Sequence, residues 1–339
     1  MVNCYPKNIN LGIQILRMIC CFHIILTHFY HFYNIKFLEG KYKYCLSIFF
    51  FISFYFSYNT LSSKNIAKIK GRFKKMIVPY IGWPILFYAM DKFGNFLLKE
   101  QELYNLKDLY YQILLGYPIY RIFWFLFNLI ILSLFFTLII RIFNKKYIFI
   151  LFIICFLDYY SFYSRHVKIL LFKNYKYFPV HHCIKPIFEY FIYVFTGFYL
   201  AYIQILNKLD KFRRGAIIIS ITIIIIFLKY YYIIFSRIHY FYHAIVKNIF
   251  VCLLFLLFSL ITFDNINHNY LYIYLFKLTK YTGGIYYLHA KIGRIFRKNI
   301  SINKNNTFIG CLLIYIVCYL LCVIGNFIFK KSFVKYLFI

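Results

Sequence analysis

The sequence predicts an all-α, polytopic bundle of transmembrane helices, and three observations carry that prediction. The chain of 339 residues is 63% hydrophobic and only 14% charged, whereas a water-soluble domain carries about 25% charged residues. Its polar side chains are too few to cover its apolar surface in water. The apolar residues also come in runs separated by basic gaps, and most runs approach the ~20 residues a helix needs to cross the hydrocarbon of a bilayer. Finally, the runs do not alternate apolar and polar residues in segments of about ten, as strands of a membrane barrel do.

Taken in order, the runs place about ten spans, at 9–33, 44–61, 76–97, 122–143, 147–164, 186–206, 215–235, 243–263, 281–298 and 307–329. The fifth is short. The ninth carries Lys291, Arg294 and Arg297, and 266–280 reads as an interfacial helix leading into it. The longest gaps, 98–121 and 165–185, are the pieces able to form structure outside the membrane. No linker rich in Ser, Pro or Gly divides the chain, so 1–339 reads as a single membrane domain without a separate soluble one. The first run contains Arg17, His23 and His28 and lacks a small-residue cleavage site, so it is expected to be a retained span and not a cleaved signal. Cys20, Cys21, Cys155, Cys252, Cys311, Cys318 and Cys322 lie inside apolar runs, and no Cys-x-x-Cys pair occurs. They read as buried thiols. His239 with His243, and the His181–His182–Cys183 cluster, lack carboxylate or thiolate company, so no metal is expected.

Lys and Arg number 40 against 9 Asp and Glu, a formal charge of +31. In a soluble protein such an excess would point to nucleic acid. Here the charges sit mainly in the gaps between spans, so the expected partners are anionic lipid headgroups and an anionic substrate, with no nucleic acid. Ten spans put both termini on one side. The basic residues divide evenly between the two sides, and most acidic residues fall outside if the N-terminus is inside.

The first span reads NINLGIQILRMICCFHIILTHFYHF. Arg17 and His28 are eleven residues apart, which leaves about 20° of offset around a helix, so they share a face. Along the axis they lie about 16 Å apart. Cys21 falls on the same stripe, while His23 is turned away. Ionisable residues inside a membrane face a cavity or a partner. The stripe therefore reads either as a polar funnel, with Arg17 near the inner mouth and His28 deeper, or as a snorkelling Arg17 beside a His28 bonded to a neighbouring helix.

These residues resemble a known family. An Arg, ten intervening residues and a His in the first helix is the hallmark of the acyltransferase 3 family of integral-membrane O-acyltransferases. Further landmarks follow in family order. FFFISFYFSY (Phe49–Tyr58) is similar to the family's second helix, with Phe54 where Gly is usual. GRFKKMIVPY (Gly71–Tyr80) resembles the basic junction before the third, with Lys75 replacing an Arg. WFL (Trp124–Leu126), FTGFYLA (Phe195–Ala201) and GGIYYLHA (Gly283–Ala290) resemble later motifs, with Ala290 at a usual Pro. The resemblance spans about 9–330.

It implies a central polar cavity and transfer of an acyl group, acetyl being the expected one, from acetyl-CoA or another short acyl-CoA. The implied acceptor is a hydroxyl of a cell-surface polysaccharide or lipid-linked sugar. It also implies a multi-pass location in a bacterial plasma membrane with both termini cytoplasmic. By the same resemblance His28 and Arg17 are the catalytic residues, and Arg72 and Lys75 bind the donor. His289, aligned with a late family His, and Trp124 line the substrate pocket. Two alternatives stand beside this: a transporter or flippase of a lipid-linked or anionic sugar, and an inactive scaffold relative.

Overall fold

A computed structural model of the chain describes residues 10–33, 44–98, 105–115, 123–142, 180–205, 212, 215–224, 240–260, 278–299 and 307–337. Among them the regular structure is all helical: α1 (Leu11–Tyr33), α2 (Tyr44–Leu61), α3 (Ile66–Leu98), α4 (Leu106–Leu115), α5 (Trp124–Ile142), α6 (Val180–Tyr202), α7 (Gly215–Ile224), α8 (Tyr240–Leu260), α9 (Thr282–Asn299), α10 (Thr307–Ile328) and a closing 3-10 turn, Phe333–Leu337. Leu11–His28, Tyr44–Leu61, Trp124–Ile142 and Phe308–Ile328 are each long and apolar enough to cross a membrane. The chain is an integral membrane protein. The expected span at 147–164 and nearly all of the interfacial stretch 266–280 lie outside the described residues, as do His181, His182 and Cys183 beyond their backbone.

Local sequence explains several boundaries. Asn10 caps α1: its Oδ1 accepts the amide of Ile13 at 3.1 Å, and its Nδ2 donates to the Ser259 carbonyl at 2.6 Å, tying the start of α1 to the end of α8. Asn65 caps α3 through the amides of Ala67 and Lys68. α3 therefore begins ten residues before the apolar run at 76–97, and the basic residues Lys68 to Lys75 form its first turns. Charged residues are good helix formers, so polarity ends the span without ending the helix. The gap 98–121 contains α4, opened by a reciprocal cap. The amide of Asp108 donates to Asn105 Oδ1 at 2.9 Å, and the amide of Asn105 donates to Asp108 Oδ2 at 3.0 Å. The Tyr80 hydroxyl donates to the Ile113 carbonyl at 2.7 Å and holds α4 on α3.

The core is aromatic. Phe50, Phe51 and Phe54 of α2 are fully buried, and each meets a ring on a different neighbour: Phe50 against Tyr190 of α6, Phe51 against Phe255 of α8, Phe54 against Phe136 of α5. Rising numbers on α2 pair with rising numbers on α6, from Phe50–Tyr190 to Tyr58–Phe198, so the two helices run parallel. α5 follows the same direction, with Trp124 on Tyr190 and Phe136 on Phe198. At the crossing of α2 and α6, Gly197 faces the Phe51 backbone, and a Cβ there would collide with the Phe51 carbonyl oxygen. This close approach is the physical reason for glycine in the FTGFYLA segment.

After α10 the chain turns back onto α3. Trp83, buried inside the bundle, donates its indole N–H to the Leu337 carbonyl at 2.9 Å. The Leu337 side chain covers Gly82, where an added Cβ would come within 2.6 Å of it.

Candidate active site

Two helices build the site. α1 and α9 run parallel at a constant offset: Cys21 Sγ donates to the Thr282 carbonyl at 3.6 Å, and the His28 ring meets the His289 ring at 5.1 Å between centroids. Both pairs are separated by 261 residues, so the register holds over two turns. The stripe that the sequence places on one face of α1 thus looks toward α9.

At its inner end by the sequence reading, Arg17 donates from Nη1 to Gln14 Oε1 at 3.1 Å, one turn back on the same helix. Its other electrostatic neighbours are Cys21 and Tyr287, the latter on α9. Tyr287 is itself buried and stacks on Phe123, with centroids 5.7 Å apart and planes within 14°. The guanidinium is thus enclosed by its own helix and by an aromatic wall. A permanent cation in so apolar a surrounding attracts negative charge strongly.

Further along α1, His28 is exposed while His289 behind it is 0% exposed. The Nδ1–H of His289 donates to the Tyr286 carbonyl of its own helix. Its Nε2 is buried and has no hydrogen-bond partner among the described residues. The Tyr286 ring packs on His289 and also on Phe49 of α2 and Phe125 of α5, joining the two imidazoles to the bundle core.

The remaining residues singled out from the sequence are dispersed. Arg72 points inward, donating from Nη2 to Ser53 Oγ on α2 at 3.2 Å, and its Nε is buried without a partner among the described residues. Lys75, one turn on, is exposed. Trp124 packs against Phe50, Phe125 and Tyr190. Ring contacts through Phe125 and Tyr286 connect it to His289. His23, as expected, looks elsewhere, stacking on Tyr44 and approaching Cys45 Sγ at 3.4 Å. The described cysteines are free thiols, all buried except the half-buried Cys252.

Two features were not anticipated. Tyr286 and Tyr287 look like ordinary aromatic filling in sequence; only the α1–α9 register brings them to Arg17 and His289. Lys291 of α9 pairs with Asp91 of α3, both side chains being largely enclosed. The sequence carried a signal for that pair, since an Asp inside 76–97 and a Lys inside 281–298 are opposite charges set in two apolar spans.

A family model described as an acyltransferase domain, that of the acyltransferase 3 family, matches residues 10–329. The chain belongs to that family. Neither the curated proteins nor the solved structures gave a match.

Proposed function

We propose that this acyltransferase moves an acyl group of acetyl size from acyl-CoA to a hydroxyl of a cell-surface polysaccharide or a lipid-linked sugar. One observation carries the reading: Arg17 and His28 lie on a single stripe of α1 that faces α9 and its buried His289. A guanidinium and an imidazole at two depths of one helix suit a reaction that must bind an anion and deprotonate an alcohol.

The chemistry follows from these groups. A sugar hydroxyl is a weak nucleophile at neutral pH, and an imidazole titrates close enough to neutrality to serve as its base. His28 takes the hydroxyl proton as the oxygen attacks the thioester carbonyl. The carbon–sulfur bond breaks, the carbon–oxygen bond remains, and the departing coenzyme A thiolate takes the proton back from His28. Charge builds on the carbonyl oxygen and on the donor phosphates, and Arg17 is the enclosed cation available to them. Arg72 and Lys75, at the basic opening of α3, dock coenzyme A phosphates. Their neighbours Lys68, Lys70 and Lys74 also suit anionic lipid headgroups.

The proposal includes ten spans around a central polar cavity in a bacterial plasma membrane, with both termini cytoplasmic. The helix directions support that order: α2, α5 and α6 would be the second, fourth and sixth spans, which must run parallel, and α1 and α9 the first and ninth, which must also run parallel. The test is transfer of labelled acetyl from acetyl-CoA to purified glycan by the protein in bilayer nanodiscs. Wild type is expected to label the glycan, and His28→Ala to lose at least 10²-fold in rate while inserting normally. Unchanged labelling by the His28→Ala protein would remove His28 as the base.

A further inference from the structure

His289 offers an acceptor that the reaction above does not use. Its Nδ1–H is committed to the Tyr286 carbonyl, so in the neutral ring the other nitrogen, Nε2, carries a lone pair. That lone pair is fully enclosed and unmatched among the described residues. A buried acceptor left unmatched is destabilising and calls for an explanation. The His28 ring lies beside this imidazole, with centroids 5.1 Å apart.

The distance between the rings gives this meaning. A ring nitrogen sits about 1.1 Å from its ring centre and an N–H···N bond spans about 2.9 Å, so two imidazoles joined head-on stand about 5.1 Å apart. The observed separation is 5.1 Å, with the planes tilted by 41°. That spacing is the one a His28 N–H donated to His289 Nε2 would have. Exposure fits the same order: His28 is the exposed ring of the pair, and His289 is buried beside it, anchored by its own helix backbone.

We propose that His289 is the positioning residue of His28. Its Nε2 accepts the His28 N–H, which fixes the His28 tautomer and leaves the opposite nitrogen of His28 unprotonated, able to take the proton of the acceptor hydroxyl. When His28 takes the hydroxyl proton, the imidazolium keeps its hydrogen bond to His289, and no proton passes to His289. The proton leaves His28 for the coenzyme A thiolate. This is the arrangement of base and orienting group that recurs wherever an imidazole activates a hydroxyl, with an imidazole in the orienting place. The proposal rests on the acyl-transfer reading.

The test uses two substitutions that separate the two nitrogens. In His289→Asn the side-chain amide can still donate toward Tyr286 but has no atom where Nε2 stood. In His289→Gln the amide oxygen reaches the Nε2 position and can accept from His28. Two readouts are taken on the full chain in nanodiscs. The first is the rate of ethoxyformylation of His28 by diethyl pyrocarbonate, followed by peptide mass spectrometry, which reports the nucleophilicity of His28 without requiring transfer. The second is kcat and KM for acetyl transfer.

The expectation is that His289→Asn slows His28 modification several-fold and lowers kcat by about 10²-fold with little change in KM. His289→Gln should restore modification to near wild type and kcat to within about tenfold. Equal behaviour of the two variants, or a loss in KM with kcat intact, would overturn the proposal. If the modification pattern appears but wild type transfers no acetyl, the orienting role of His289 stands and the acyltransferase reading fails.

Discussion

Arg17, His28 and Arg72 show what a single side chain can and cannot reveal before a structure exists. The spacing of Arg17 and His28 fixes their common face from helix geometry alone, and both side chains turn toward α9. The partner of His28 was not legible in this way. His289 lies 261 residues away, and no local pattern records which of many helices will lie beside α1. Arg72 and Lys75 illustrate the opposite difficulty. They are one turn apart in sequence, yet Arg72 is drawn inward to Ser53 while Lys75 faces outward. Under the proposed function, both would meet one long anionic donor, Arg72 at a fixed point and Lys75 from the exposed side. Replacing both by Ala is therefore expected to raise the KM for acyl-CoA by about tenfold or more and to change kcat little, as measured by steady-state transfer at varied donor concentration. A fall in kcat at unchanged KM would place them in the chemistry and not in docking.

Among elements, the long helices were legible because membranes impose length and polarity on them. α2 occupies the predicted 44–61, and α10 at Thr307–Ile328 lies within one residue of its predicted run. What polarity could not reveal was where a helix continues past the apolar zone, as α3 does at its basic start, or where a short one forms outside it, as α4 does. The ninth predicted span is instructive. It carries three basic residues inside an apolar run, yet α9 forms, and its Lys291 is answered by Asp91 on α3. The pair links the helix bearing His289 to the helix bearing Arg72. Asp91→Asn alone removes the carboxylate that answers the enclosed Lys291 ammonium and should cost about 2 kcal/mol, the figure for a fully buried pair being larger. The check is thermal unfolding of the purified protein. Exchanging the charges, Asp91→Lys with Lys291→Asp, should recover most of the loss; failure to do so would mean that the two residues contribute separately.

For the molecule as a whole, the bundle is held from its middle outward. α2 touches α5, α6 and α8 through three fully buried phenylalanines, and Gly197 lets the α6 backbone close onto it. The return of the C-terminal turn onto Trp83 and Gly82 then joins the last helix to the third. This closure was not legible, because five residues carry too little periodicity to declare a docking face. The family match runs over almost the entire chain, from 10 to 329, and this distribution agrees with a candidate site that joins α1, near one end of the chain, to α9, near the other.

The basic start of α3 has one further consequence. Its first ten residues extend the helix by about 15 Å beyond the apolar segment, a reach longer than the Debye length of about 8 Å at physiological ionic strength. An anion drifting past would feel this outpost before touching the protein, so capture and turnover should respond differently to salt. Raising potassium chloride tenfold is expected to depress kcat/KM for acyl-CoA steeply and leave kcat nearly flat, as in other electrostatically steered encounters.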